Sequence, residues 1–329
     1  MAVYTSLSPE DASRITNAHA LGACLHITPV SAGSVNSNFF LVSEGGRHFL
    51  RIYEEQGTDG VEYEWQLLDF LGRAGVAVPK RVTGTLPGQI CVAGKPTALF
   101  EVVTGQDICG GLFDTARAQR VGATLAEIHQ AGRAFPVRRE SRFRRDTLPQ
   151  RLDVAEGHGR PELVEPIATL RAMCAEVDGG YPTNLPRGVI HGDMFRDNVF
   201  WEGTRVSAVI DWESASDGDL LYDLAVVFLA WCYGDDFRWD EARALFAGYT
   251  AIRPLEASEV AALRTLCLAG AARFSTTRIL DFHLRSGGVG ERVMKDYRRF
   301  LARASTLAAL TNDQLPTPPP IHPTPEPTT

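Results

Sequence analysis

The stretch Val189-Ile190-His191-Gly192-Asp193-Met194-Phe195-Arg196-Asp197-Asn198-Val199-Phe200 decides how this chain is read, together with Ala208-Val209-Ile210-Asp211-Trp212-Glu213 shortly after it. Val189-Ile190 and Val199-Phe200 are short apolar runs suited to buried strands. Between them stand His191, Asp193, Arg196, Asp197 and Asn198, and the next apolar run, residues 206–210, ends in Asp211. Acids and amides gathered at strand ends are unfavourable for folding, because each needs a partner or water. They suit a hard divalent cation, which takes oxygen ligands and keeps some waters. Asn198 and Asp211 supply two such oxygens, leaving Asp193 free to accept a proton. That division of labour belongs to phosphoryl transfer from ATP to a hydroxyl.

Working outward, the chain upstream of residue 105 reads as β-rich. Ser8-Pro9-Glu10-Asp11 opens a helix, with a capping serine, a proline at the first position and acids for the dipole. Strands are expected at 27–30, 39–42 and 48–53, the last two joined by a turn at Glu44-Gly45-Gly46-Arg47. A helical stripe of Val61, Trp65 and Leu68 follows, then strands near 81–85 and 97–103. Asp114 caps a helix whose apolar face is Ala118, Val121, Leu125 and Ile128, closed by Gly132. Beyond it the pattern is helical except at 189–212, and residues 135–153 are arginine-rich and patternless, as a surface excursion would be. The expected fold class is α+β with two lobes. Residues 1–104 form a small antiparallel β-rich lobe, 105–310 a larger helical lobe and 311–329 a disordered proline-rich tail.

Composition excludes several classes. Of 329 residues, 44% are hydrophobic and 22% charged, ordinary for a globular protein and unlike a disordered, collagen-like or coiled-coil chain. The net charge of −7 argues against a nucleic-acid protein. No basic segment leads into an apolar run at the start, and no run of about 18 apolar residues occurs, so a cytoplasmic protein, monomer or small homo-oligomer, is expected. The six cysteines are scattered without paired spacing, which favours reduced thiols over a zinc site.

The histidine, the aspartate two residues on, the asparagine five beyond that and the later Ile-Asp-Trp resemble the aminoglycoside phosphotransferase and choline kinase superfamily, a branch of the protein-kinase-like fold. Asn36-Ser37-Asn38-Phe39, Leu221-Tyr222-Asp223-Leu224, Gly248-Tyr249 with Arg253-Pro254-Leu255, and residues 273–283 are similar to its homoserine kinase family, over residues 1–302. The resemblance implies ATP-dependent, Mg²⁺-requiring phosphorylation of the side-chain hydroxyl of L-homoserine, on the route to threonine. It makes Asp193 the catalytic base, Asn198 and Asp211 the Mg²⁺ ligands, and His191 and Asp223 the residues that brace the loop. Residues 33–38, with Gly33, Ser34, Asn36 and Ser37, correspond to the phosphate-covering loop. Adenine would lie against the connector at Glu101 and Val103.

A kinase-like β-lobe places a cation on its third strand, held by a helix glutamate. Only Lys80, Lys95 and Lys295 occur, and none fits: one follows Pro79, one sits in a turn and one lies near the C-terminus. Arg51 stands at that position instead, with Glu64 as its pairing acid and Glu62 the second choice; an arginine fork binds phosphate oxygens and stays charged. Gly94-Lys95-Pro96 after Gly88 lacks P-loop spacing and is read as a turn. His129 beside an apolar helix face is read as structural.

For the acceptor, Arg196, Arg273 or Arg278 would meet a carboxylate, and Asp217 or Asp219 an ammonium. Gly192, where homoserine kinases commonly have alanine, and Trp212-Glu213 keep open a kinase for another small hydroxylated metabolite or an aminoglycoside. A catalytically silent nucleotide-binding regulator is the third alternative.

Overall fold

The computed structural model describes residues 4–30, 35–85, 89–109, 111, 113–284 and 295–316. Gly33, Ser34 and the proline-rich stretch beyond 316 lie outside the described residues. α1 (Pro9–Ala18) is capped as expected, Ser8 Oγ accepting from the Asp11 N–H at 3.0 Å. β1 (Cys24–Val30), β2 (Ser37–Ser43) and β3 (Gly46–Ile52) form an antiparallel meander. After α2 (Thr58–Arg73), β4 (Cys91–Val92) and β5 (Lys95–Glu101) complete a five-stranded sheet in the order β1-β2-β3-β5-β4.

Two-residue alternation gives the sheet two faces. Phe39, Leu41, Leu50, Ile52 and Leu99 pack with Ala12 and Ile15 of α1. Ala98 and Phe100 turn to the opposite face, where they join Tyr53 and the α2 residues Val61, Leu67 and Leu71. Arg51, between Leu50 and Ile52 and paired across to Ala98, is therefore presented on the α2 side.

The strand expected at 81–85 is instead a single bridge from Arg81 to Phe100. Val82 N–H still donates to Leu99 O, but the Thr85 N–H is drawn away to Ala18 O at the end of α1, both at 2.8 Å. The strand at the sheet edge is β4, turned back onto β5 through Ala93 and Gly94, both at positive φ. Lys95 thus begins β5 rather than lying wholly in a turn.

The helical lobe follows a connector whose Gln106 bridges to Trp201. Its elements are α3 (Thr115–Gly132), α4 (Leu148–Gly157), α5 (Val164–Gly180), β6 (Arg187–Ile190), β7 (Val199–Glu202), β8 (Arg205–Val209), β9 (Ser216–Asp219), α6 (Leu220–Trp231), α7 (Trp239–Thr250), α8 (Ala257–Arg278) and α9 (Arg298–Ala308). β6 pairs with β9, and β7 with β8. α8 is buried along most of its length and forms the centre of the helical lobe.

The contact of α3 with α7 is backbone on backbone. A Cβ on Gly122 would lie 1.9 Å from Leu245 O, and one on Gly248 would lie 2.0 Å from Gln119 O. Gly248→Ala is therefore expected to force the helices apart and destabilise the fold by at least about 1–3 kcal/mol, read as a lower melting temperature.

Two expectations fail. Residues 135–153 are not a surface excursion: Arg139 donates to Glu213 O at 2.8 Å and Gly60 O at 3.3 Å and lies over the Tyr63 ring, tying α2 to the helical lobe. The structureless tail expected from 311 does not begin there. Leu315 is buried, and Asn312 both accepts from Arg264 N–H and donates to Ala261 O on α8.

Candidate active site

The loop after β6 is held by its own backbone. The N–H groups of His191 and Gly192 donate to the two carboxylate oxygens of Asp223, at 2.7 and 2.8 Å. His191 Nδ1 accepts from the Asp193 N–H at 3.2 Å, so the ring carries its proton on Nε2, which donates to Ile210 O at 3.0 Å. The imidazole also packs on Trp212, with ring centroids 4.7 Å apart. Trp231 Nε1 donates to Met194 O, and Asn198 Nδ2 to Asp193 O, both at 2.8 Å. The five-residue spacing from Asp193 to Asn198 is thus one closed turn, with His191 and Asp223 hydrogen-bonded into it.

Asp223 is completely buried yet ionised. Burial works to raise its pKa, but the hydrogen bonds from the His129 side chain and the His191 backbone outweigh it and hold the carboxyl below its usual range. His129, the reverse case, is kept neutral by burial. Its Nε2 donates to Asp223 at 3.2 Å and its Nδ1 accepts from the Tyr249 hydroxyl at 2.7 Å. Tyr249 accepts in turn from Arg253 at 3.0 Å, and Arg253 donates to Glu259 at 2.9 Å. This buried relay links the loop after β6 to α3, α7 and α8. Sequence periodicity put His129 beside an apolar face but gave no sign of its partners, which lie 94 and 120 residues away.

Asp193 is partly buried beside Arg273, whose Nη1 is 3.7 Å from its carboxylate. Burial raises the Asp193 pKa, with Arg273 and then Lys295 pulling it down. Lys295, set aside by its chain position, returns to the mouth of the loop, 3.9 Å from Asp197.

Arg51 lies among three carboxylates: Asp211 at 3.3 Å, Glu213 at 3.5 Å and Glu64 at 3.9 Å. Burial would weaken its charge, but Asp211 and Glu213 more than offset that and raise its pKa. Burial also lifts the carboxyls of Glu64 and Glu213 above the usual range, against the pull of Arg51. The pairing acid is Glu64; Glu62 is exposed and accepts from Gln66. Glu213, not among the site residues expected from the sequence, meets the β-lobe: the Asn36 amide donates to it, while Asn36 Oδ1 accepts from Glu54 N–H. Ser37 Oγ accepts from the N–H groups of Tyr4 and Thr5. Glu101 N–H donates to Lys80 O, and Val103 lies on the partly buried connector.

Asp211 adopts a left-handed backbone, φ 67° and ψ 63°, which is strained for a residue with a side chain and marks functional positions. Ile210 N–H donates to Asn198 O at 2.9 Å, so the two candidate metal ligands stand on adjoining segments. Among the described residues no group of three or more His, Cys, Asp or Glu is arranged to hold a metal ion. A pair of oxygen ligands completed by phosphate and water is a different kind of site, and Asn198 with Asp211 fits it.

The candidate acceptor residues divide: Arg273, Asp217 and Asp219 line one cavity, whereas Arg196 and Arg278 do not. Arg196 turns away to donate to Trp231 O and lies over the Phe113 ring. Arg278 donates to Asp296 O at 2.9 Å and lies over Phe300. Asp217 pairs with Arg138 and Arg187, and Asp219 with Arg187 and the Tyr181 hydroxyl. Of the three arginines considered, only Arg273 stands against Asp193 and also lines a cavity of about 420 Å³, shared with Phe143, Tyr222 and Asp217. Among the described residues no helix is long and apolar enough to cross a membrane.

The sequence profile of the phosphotransferase enzyme family matches residues 26–255. A homoserine kinase of Methylobacterium radiotolerans is 38% identical, the alignment covering 86% of this chain and 88% of that protein. One of Phenylobacterium zucineum is 34% identical, covering 92% and 95%. Among solved structures, the amicoumacin kinase hAmiN in complex with AMP-PNP and Ca²⁺ superposes with a TM-score of 0.68 at 16% identity, covering 93% of this chain and 94% of that one. A Plasmodium vivax ethanolamine kinase does so with 0.61 at 14% identity, covering 86% and 82%. With the kinase-like lobes, the braced loop and these similarities together, the chain belongs to the phosphotransferase enzyme family and groups within it with the homoserine kinases.

Proposed function

We propose that the protein transfers the γ-phosphoryl group of ATP to the side-chain hydroxyl of L-homoserine in the cytoplasm, giving O-phospho-L-homoserine and ADP. The observation that carries this reading is the intact set Asp193, Asn198 and Asp211 on a braced loop, in a chain similar over most of its length to named homoserine kinases.

The residues divide the work as follows. Asp193 accepts a hydrogen bond from the acceptor hydroxyl and takes its proton as the oxygen attacks the γ-phosphorus. The new O–P bond forms as the bond to the β-phosphate oxygen breaks, and the proton leaves from Asp193 to solvent. Arg51 offers a guanidinium to the phosphates, held in place by Glu64. Asn198 and Asp211 would hold Mg²⁺, which supplies neutralisation of the charge developing on the phosphates. Asp223 and His191 keep the loop from relaxing.

An ADP-release assay with ATP, Mg²⁺ and a panel holding L-homoserine, choline, a sugar alcohol and an aminoglycoside tests the reading. L-homoserine is expected to give the highest kcat/KM, at least about 100-fold above the others, the margin a built polar site provides. A better acceptor elsewhere in the panel would replace homoserine; ATP binding without turnover on any acceptor would point to the regulator.

A further inference from the structure

Arg273 is out of place by every ordinary rule. It sits in the C-terminal third of the buried helix α8 and is only 4% exposed. A guanidinium so deep is expected to spend its five N–H donors on acceptors. Here Nε and Nη1 have no hydrogen-bond partner. The Asp193 carboxylate at 3.7 Å is within ion-pair range but beyond a hydrogen bond. What holds the group is aromatic: its central carbon lies 3.8 Å from the Phe274 ring centre and 4.0 Å from that of Phe143. Phe143 comes from the arginine-rich stretch 135–153, which folds over this place. The same guanidinium lines the cavity of about 420 Å³.

We propose that Arg273 is the anion-recognition residue of the acceptor site, binding the carboxylate of the acceptor while Asp193 takes its hydroxyl. The reasoning starts from the unsatisfied donors. Buried N–H groups without partners are destabilising, and an acceptor carboxylate drawn to this guanidinium recovers part of that loss on binding. The rings hold the fork without competing for its hydrogen bonds. Because Arg273 and Asp193 are neighbours, one small molecule reaches both. The neighbouring arginines are already committed, Arg196 to Trp231 O and Arg278 to Asp296 O. Recognition of the carboxylate by Arg273 therefore favours small hydroxy acids over amino alcohols that lack one. This inference rests on the kinase reading above and specifies the acceptor class.

Three acceptors separate the parts of the argument: L-homoserine, 4-hydroxybutyrate, which lacks the ammonium, and 3-aminopropan-1-ol, which lacks the carboxylate. With Arg273→Gln, KM for the two carboxylates is expected to rise about 10- to 100-fold, the range for a charge-assisted hydrogen bond. KM for 3-aminopropan-1-ol and for ATP should stay within about twofold, and Arg273→Lys should recover part of the loss. Binding gives a readout independent of turnover: L-homoserine should raise the melting temperature of the wild type but not of Arg273→Gln, with Arg273→Lys in between should the glutamine variant fail to fold. An equal fall in kcat for all three acceptors, with KM for homoserine unchanged, would overturn the proposal and make Arg273 a positioning residue for Asp193. If the wild type ignores homoserine but phosphorylates 4-hydroxybutyrate in an Arg273-dependent way, the proposed acceptor fails and this inference stands. If homoserine neither reacts with nor protects the wild type, both fail.

Discussion

Asp193→Asn is expected to lower kcat by about 10²- to 10⁴-fold, the range for loss of a positioned general base. KM for ATP should change by no more than about twofold. The argument is geometric. The amide keeps the volume of the side chain, and the loop is braced through backbone atoms: Asp223 holds residues 191 and 192, and Asn198 holds the Asp193 carbonyl. The substitution removes a basic oxygen and little else. Arg273 loses its nearest anion, so a modest stability change will accompany the loss of turnover. ADP-release kinetics and thermal shift with ATP separate the two effects. Turnover within tenfold of the wild type would remove Asp193 from the mechanism.

The second large effect belongs to Arg51. Arg51→Met deletes the cation within 4 Å of Glu64, Asp211 and Glu213 and leaves those carboxylates facing one another in a mostly buried site. Breaking a buried ion pair from one side destabilises by about 3–5 kcal/mol. The same change should raise KM for ATP by at least about tenfold. Arg51→Lys should retain more of the stability than of the ATP affinity, because a point charge neutralises the cluster while a fork engages phosphate oxygens. Chemical denaturation measures the first and initial rates the second. A Met variant as stable as the wild type would show that these acids do not depend on Arg51.

Different parts of this molecule were legible to different degrees, for physical reasons. The sheet could be read because alternation exposes it: Leu50 and Ile52 declare one face, so Arg51 must take the other. The catalytic loop could be read because its chemistry is confined to a dozen consecutive residues with fixed spacing. Strand β4 was hidden because it is two residues long and its partner is set by a turn at positive φ, not by pattern. Arg139 and Phe143 were hidden in a stretch without periodicity, where each side chain is placed by a distant surface. Arg273 could be named as a candidate from its charge but not preferred to Arg196, since their difference lies in what each guanidinium touches. Glu213 follows the proposed metal ligand by two residues, yet its contacts with Asn36 and Arg51 cross the cleft and leave no local trace.

The arginine on β3, proposed to face the phosphates, also bears on which reagents can address the nucleotide site. Nucleotide analogues built to acylate a strand amine need a nitrogen that gives up its proton and offers a lone pair. A guanidinium does neither at any working pH, and the acids around Arg51 raise its basicity further. The amine of Lys95 on the neighbouring strand is engaged by Thr5 and Glu54. A probe that captures kinases through the strand cation would bind here and leave without a covalent mark at Arg51. A lasting inhibitor of this enzyme must therefore draw its residence time from non-covalent contacts in the cleft or from a different anchoring residue.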